Sequence, residues 1–298
     1  MALEGARGFG DNGFRGRAFV GDRTMGILGE REIGEFLRWL RKRFAHRRYV
    51  HPDPLGFLYD YPDPLDREVV GLLASLLAYG RVAMILRNVG RVLAALGRPR
   101  DALGSFSPEE FRRRLGPFRH RFATGDEVCR LLLGLSRVVE RHGSLNACFL
   151  RHVGAEDETT LAALGGFVGE LREAADGLDS HLLPHPGRGS ACKRLHLFLR
   201  WMVRHDEIDP GGWEGVVPSM LIVPLDVHLH RLCRALGLTA RAAADGRTAL
   251  SVTEAFRRFA PGDPVRYDFA LTRLGIRGDA TLEGAIAEWR ETRVVSDN

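Results

Sequence analysis

Apolar side chains recur three and four residues apart along nearly the whole chain, and two-residue alternation is nowhere sustained. That period draws one apolar stripe along a helix and gives no strand a buried face, so it constrains the fold to all-α. Val69, Val70, Leu72, Leu73, Leu76 and Leu77 crowd most sides of one segment. Such a segment is a central helix, with Asp66 as its cap and Tyr79-Gly80 as its close. Further helices are expected over 82–96, 127–142, 160–175, 190–204, 227–236, 252–259 and 264–274. His51-Pro52-Asp53-Pro54 and Tyr61-Pro62-Asp63-Pro64 read as a pair of turns. At 298 residues and 45% apolar content the chain can bury a sizeable core. The expected organisation is a disordered, Gly- and Arg-rich N-terminal extension over 1–27 and one helical domain over 28–290.

No apolar run approaches the ~20 residues that cross a bilayer, and the first residues lack the apolar core of a secretion signal. Cys129, Cys148, Cys192 and Cys233 are far apart with no CxxC pair, so they outline neither a zinc ribbon nor a four-cysteine iron–sulfur loop. The expected compartment is the reducing cytosol, and no membrane partner is implied.

Positive charge is segregated. Ten arginines lie between Arg81 and Arg121 against Asp101, Glu109 and Glu110, while seven acids face two arginines between Arg151 and Ser180. A basic segment of this kind suits a polyanion such as DNA or RNA, although an arginine-rich composition also produces basic faces without one. Of the 43 basic side chains, only Lys42 and Lys193 are lysines. An amine can lose its proton and attack carbon, whereas a guanidinium serves only as a fixed charge.

Lys193 follows a glycine-rich turn, His185-Pro-Gly-Arg-Gly-Ser190, that runs into an apolar-periodic segment. Gly187, Gly189 and Ser190 are expected to form a backbone nest at a helix start, a place where N–H groups and the helix dipole favour a phosphate. Ser190 is the expected N-cap. Asp226 stands where an N-cap belongs, in Val223-Pro-Leu-Asp-Val-His-Leu-His-Arg231. An unperturbed amine is only about one part in a thousand neutral at pH 7.4. A nucleophilic role for Lys193 therefore demands a recess that strips its water, with Asp226 near but not locked to it in a tight pair. His228 and His230 beside Asp226 point about 200° apart on a helix, which argues against one shared metal ion.

These residues resemble the helix-hairpin-helix DNA glycosylase superfamily. The segment 223–238 is similar to its Val/Pro-rich approach to Asp-x-His-x-x-Arg and a helix. Val70 to Arg81 looks like the N-terminal helix that ends at the base-binding region, and Pro264 to Gly275 like the helix after the catalytic segment. The whole chain resembles a bacterial family of unknown function nearest the archaeal 8-oxoguanine DNA glycosylase branch. Lys193 follows Gly189 by four residues where the usual hairpin places its lysine two after the second glycine. The iron–sulfur cysteines of some members are absent.

The resemblance implies two helical subdomains around a cleft, built from the N- plus C-terminal helices and from the central ones. It implies a base-excision repair enzyme, a glycosylase and AP lyase acting as a monomer on DNA with a damaged base, without cofactor or metal. Asp226 is then the catalytic carboxylate and Lys193 the Schiff-base lysine. Arg81, Gly187, Arg188, Gly189, Ser190 and Arg194 would hold DNA, and Tyr79, Phe198, Trp201 and His228 would line the base pocket, with Phe118 a further aromatic candidate. The competing readings are a non-catalytic nucleic-acid-binding protein of the same fold, and an interaction scaffold that docks through its acidic 151–180 segment.

Overall fold

Apolar periodicity becomes helix almost throughout. A computed structural model describes residues 27–276 and 281–296, and most of the expected extension over 1–27 lies outside them. In chain order the helices are α1 (Glu30–Phe44), α2 (Pro64–Leu76), α3 (Val82–Leu96), α4 (Pro99–Ser105), α5 (Pro108–Leu115), α6 (Gly125–His142) and α7 (Leu145–Leu150). They continue as α8 (Leu161–Ala174), α9 (Lys193–Val203), α10 (Val227–Ala235), α11 (Gly246–Arg257), α12 (Asp268–Ile276) and α13 (Leu282–Ser296). Between α5 and α6 sits a two-residue antiparallel hairpin, β1 (Arg119–His120) and β2 (Ala123–Thr124), with Arg119 opposite Thr124. The described residues are all-α apart from it. Among the described residues no helix is long and apolar enough to cross a membrane.

Helix starts correct the sequence reading in five places. Asp53 and Asp63 accept the N–H groups of Leu55 and Leu65, each followed by a proline at the first helical position. The two Asp-Pro pairs are therefore helix starts, where proline loses no hydrogen bond, rather than turns. Asp66 does not cap α2. It lies buried in the first turn and accepts the Arg100 N–H at the start of α4. Helix α9 begins at Lys193 with Cys192 as N-cap, because Ser190 turns its hydroxyl onto the Cys192 N–H. Helix α11 begins earlier than expected, at Gly246, since Asp245 accepts from Thr248, and α12 begins later, after a turn.

Helix α2 is buried on most sides, as its composition required, and packs along α9. Gly71 makes this contact close: a Cβ there would sit 3.3 Å from Met202 Sδ and Leu58 Cδ2. Glu68, on the same helix, is buried and accepts from the Leu145 and Asn146 N–H groups and from Trp213 Nε1. It thus satisfies the otherwise orphaned start of α7. Helices α4, α5, α7 and α8 gather around α6, while α1 packs on α12 and α13, and α12 packs on α10.

A buried ionic network fastens the far end of α9. Asp209, with no exposed side-chain area, pairs with Arg200 at 3.1 Å and with Arg204. Arg200 also reaches Asp268 on α12 at 2.5 Å, and Arg204 reaches Asp206 at 2.8 Å and Asp263 at 3.0 Å. Removing one member leaves its partners charged and desolvated, which costs about 3–5 kcal/mol. Asp209→Asn should lower the unfolding free energy by about that amount in urea titrations, with an unchanged m-value.

Candidate active site

The starts of α9 and α10 meet. Lys193, the first helical residue of α9, places Nζ 2.8 Å from Oδ2 of Asp226, the N-cap of α10, across 33 residues of sequence. The other carboxylate oxygen, Oδ1, accepts the backbone N–H groups of His228 (2.9 Å) and Leu229 (2.8 Å). One oxygen is thus committed to capping, and the other faces the amine. Burial alone would raise the Asp226 carboxyl; the Lys193 charge and hydrogen bond, then the Leu229 N–H, outweigh it and hold the group below its ordinary value.

Their contact corrects one expectation. Lys193 and Asp226 form a direct ion pair, with side chains 34% and 22% exposed, rather than a loose approach in a deep recess. The cause is local: Asp226 is held by its own helix start, and its free oxygen lies where the α9 lysine emerges. Helix α9 itself starts without a side-chain cap.

Nor does the glycine turn present the expected nest. The Gly187 N–H is taken by His185 Nδ1, that of Arg188 by the His185 carbonyl, and that of Gly189 by Pro186. Gly189 adopts a left-handed φ of 78° and accepts the Gly246 N–H, tying the turn to the start of α11. Arg188 lies at the surface and forks onto Asp179, both bonds 2.7 Å. A cleft of about 380 Å³ opens beside this turn, lined by Arg172, Asp179, His181, His185, Arg188 and Ser190; Lys193 and Asp226 are not in its wall.

Arg194 was expected at a phosphate and is instead buried. It donates to the Leu76 carbonyl at 2.5 Å, to Leu182 at 3.3 Å and to His181, and its guanidinium lies 4.9 Å from the centre of the Tyr79 ring. This side chain bolts the first turn of α9 to the end of α2, which positions Lys193 without reaching solvent. Phe198 and Trp201 also leave the base-pocket set. Both are core residues of a helix buried on nearly every side, Phe198 facing Gly71 of α2 and edge-on to Trp213 at 5.0 Å. Phe118 is buried too. His228 is exposed beside Asp226, and His230 is buried with Nε2 on the Arg241 carbonyl.

Tyr79 and Arg81 remain at the surface rim. The Tyr79 hydroxyl donates to the His120 carbonyl at 2.8 Å, and its ring meets the His120 and His181 rings edge-on at 4.6 and 4.9 Å. Burial, aided by neighbouring guanidinium groups, pushes both histidines below their ordinary values. Gly80, with φ of 99°, lets the Arg121 chain lie over it: a Cβ would meet Arg121 Cδ at 2.9 Å. Next to Arg121 stands Phe122, 66% exposed and edge-on to His181 at 5.5 Å. Sequence reasoning missed Phe122, for want of any periodic signal in a hairpin with two-residue strands; its one mark was a place among basic residues.

The chain belongs to the family described as Protein of unknown function (DUF2400), whose profile matches residues 53–277. No curated protein and no solved structure matches it.

The lowered Asp226 value fixes a pH dependence. Its ionised form is favoured by folding, so its stabilisation is present above the ordinary carboxylate value and lost as pH falls through the lowered folded one. Wild type should be more stable than Asp226→Asn at neutral pH, and thermal melts should show the gap closing as pH falls below the ordinary aspartate value of about 3.9.

Proposed function

We propose that this member of the DUF2400 family is a DNA base-excision glycosylase with AP lyase activity, directed at an oxidised purine such as 8-oxoguanine. The observation that carries this reading is the 2.8 Å approach of a scarce lysine to a helix-capping aspartate at two adjoining helix starts. Cleaving a base from deoxyribose builds positive charge at the anomeric carbon, and a fixed carboxylate stabilises it. Asp226 is such an anion, since two backbone N–H groups prevent it from turning away.

The ion pair then supplies the proton balance. The Lys193 ammonium gives one proton to the departing base, which leaves neutral. The developing cation of the sugar takes the place of the ammonium beside Asp226. The freed amine bonds to the anomeric carbon, one of its protons passes to the ring oxygen as the sugar opens to an imine, and transfer of the neighbouring C–H proton to water expels the 3′ phosphate. No metal or redox partner enters these steps. The target nucleotide has to leave the duplex to reach the pair, and a damaged base costs less to extrude. Exposed Arg81, Arg121 and Phe122 suit contact with phosphates and an unstacked base at the rim beside Tyr79.

A second reading has its own support. A half-buried pair between two helix starts serves equally as a clasp, and the protein is then a non-catalytic DNA-binding member of the family. Borohydride trapping on 8-oxoguanine duplexes separates the two. Wild type should form a covalent protein–DNA adduct, and Lys193→Gln and Lys193→Arg should both form none, since a cation alone cannot make an imine. Asp226→Asn should release base roughly 10²–10³ times more slowly, yet still be trapped on a preformed abasic site. Trapping of Lys193→Gln at the wild-type level ends the assignment of Lys193 as the Schiff-base lysine, and absence of any wild-type adduct ends the lyase reading. Salt-dependent binding without incision of any lesion tested supports the clasp.

A further inference from the structure

Away from the pair, four donor side chains converge where α6, α7 and α8 meet. His142 ends α6, Cys148 lies on α7, His152 follows α7, and Glu170 projects from α8. His142 Nε2 lies 2.5 Å from Glu170 Oε1, while His152 Nε2 and Cys148 Sγ lie 3.1 and 3.5 Å from Oε2. The ligating atoms of His142, Cys148 and Glu170 all fall within 4.8 Å of one another. Arg141 approaches the same carboxylate from the surface, with Nη1 2.9 Å from Oε1.

The arrangement is built into the fold. Cys148 is fully buried, and the His142 and Glu170 side chains are only 10% and 14% exposed. Gly166 lies one turn before Glu170, and a Cβ there would stand 2.5 Å from His152 Nδ1. The imidazole therefore occupies the space of an absent side chain, lies against α8, and aims Nε2 at the carboxylate.

Two imidazoles, a thiol and a carboxylate are the mixed donor set that a borderline-soft divalent ion prefers. Zinc bonds of about 2.0–2.3 Å place tetrahedral donors roughly 3.2–3.8 Å apart. Two of the separations, 3.5 and 3.1 Å to Glu170 Oε2, are already close to that spacing; His142 has to draw back from Oε1, and His152, outside the 4.8 Å group, has to swing in to complete the set. We propose that His142, Cys148, His152 and Glu170 form a structural zinc site that staples α6, α7 and α8 together.

Binding releases the Cys148 proton to solvent, and the thiolate and carboxylate together neutralise the ion. Burial and then Glu170 push the free thiol up to about 12, a bias that a bound cation reverses. Arg141 stays outside the ion as a donor to the carboxylate oxygen that does not bind. Four protein donors leave no open position for substrate, which makes the site structural rather than catalytic.

The test uses tag-free, full-length protein stripped by chelator and titrated with Co²⁺ and then Zn²⁺. One equivalent of cobalt should give a thiolate-to-metal charge-transfer band with tetrahedral visible absorption, and zinc should displace both. Cys148→Ser should lose the charge-transfer band, and His152→Ala and Glu170→Gln should weaken binding at least about tenfold. Cys233→Ser, Cys129→Ser and Lys193→Gln should leave the spectrum unchanged, so the outcome is independent of any glycosylase activity. Excess zinc should raise the wild-type melting temperature by at least about 5 °C and leave that of Cys148→Ala unmoved. Should Cys148→Ser misfold, the tenfold weaker binding expected of His152→Ala, a part-exposed position, carries the test instead, and wild-type affinity in that variant overturns the proposal. Absence of the band at one equivalent, or its persistence in Cys148→Ala, overturns the proposal.

Discussion

Helix α9 is held at both ends by buried guanidinium groups, and the position of the candidate site depends on that clamp. Arg194 at its start gathers the carbonyls of Leu76, His181 and Leu182, while Arg200 and Arg204 at its end share Asp209 and reach Asp268 and Asp263. A guanidinium presents several donors in a rigid fork, so each contact fixes direction as well as distance. Lys193 emerges from a helix that has little freedom to slide or roll. That is how a side chain one-third exposed can be delivered repeatedly to the same carboxylate oxygen.

Carboxylates supply the complementary device. Asp63 caps its own helix, whereas Asp66 and Glu68 on α2 reach the starts of α4 and α7. The central helix thereby orients two others through their unsatisfied N–H groups. Asp226 is built on the same pattern, one oxygen on backbone N–H groups, while its second oxygen meets a lysine. A capping motif becomes a candidate catalytic one by the addition of one amine.

Period and punctuation made much of this legible in advance. The 82–96 helix matches its expected bounds, because glycine closes it sharply at Gly97. Lys193 and Asp226, singled out by the rarity of lysine and by cap position, do come together. What failed to show was tertiary. Arg194, Phe198 and Trp201 carry no mark that distinguishes a brace or core residue from a DNA contact, since the face of α9 turned inward is set by α2. The glycine turn was misread because its N–H groups close on the turn itself. His142, Cys148, His152 and Glu170 lie on three helices and the turn between two of them, at spacings that match no familiar ligand pattern, so only folding assembles them.

The inward arginines also change what the composition means. Arg67 donates to the carbonyls of Tyr61, Pro62, Pro210 and Gly211, and Arg273 binds the Tyr49 carbonyl and Asp53. Together with Arg194, Arg200 and Arg204 they act as internal rivets, standing where other folds place strand ladders or ordered water. An approaching polyanion therefore senses less charge than a tally of basic letters suggests, and senses it from outward groups such as Arg81 and Arg121. Exchanging the interior set for lysine would preserve the formal charge and dismantle the frame, because an ammonium lacks the rigid fork that holds several acceptors in fixed directions.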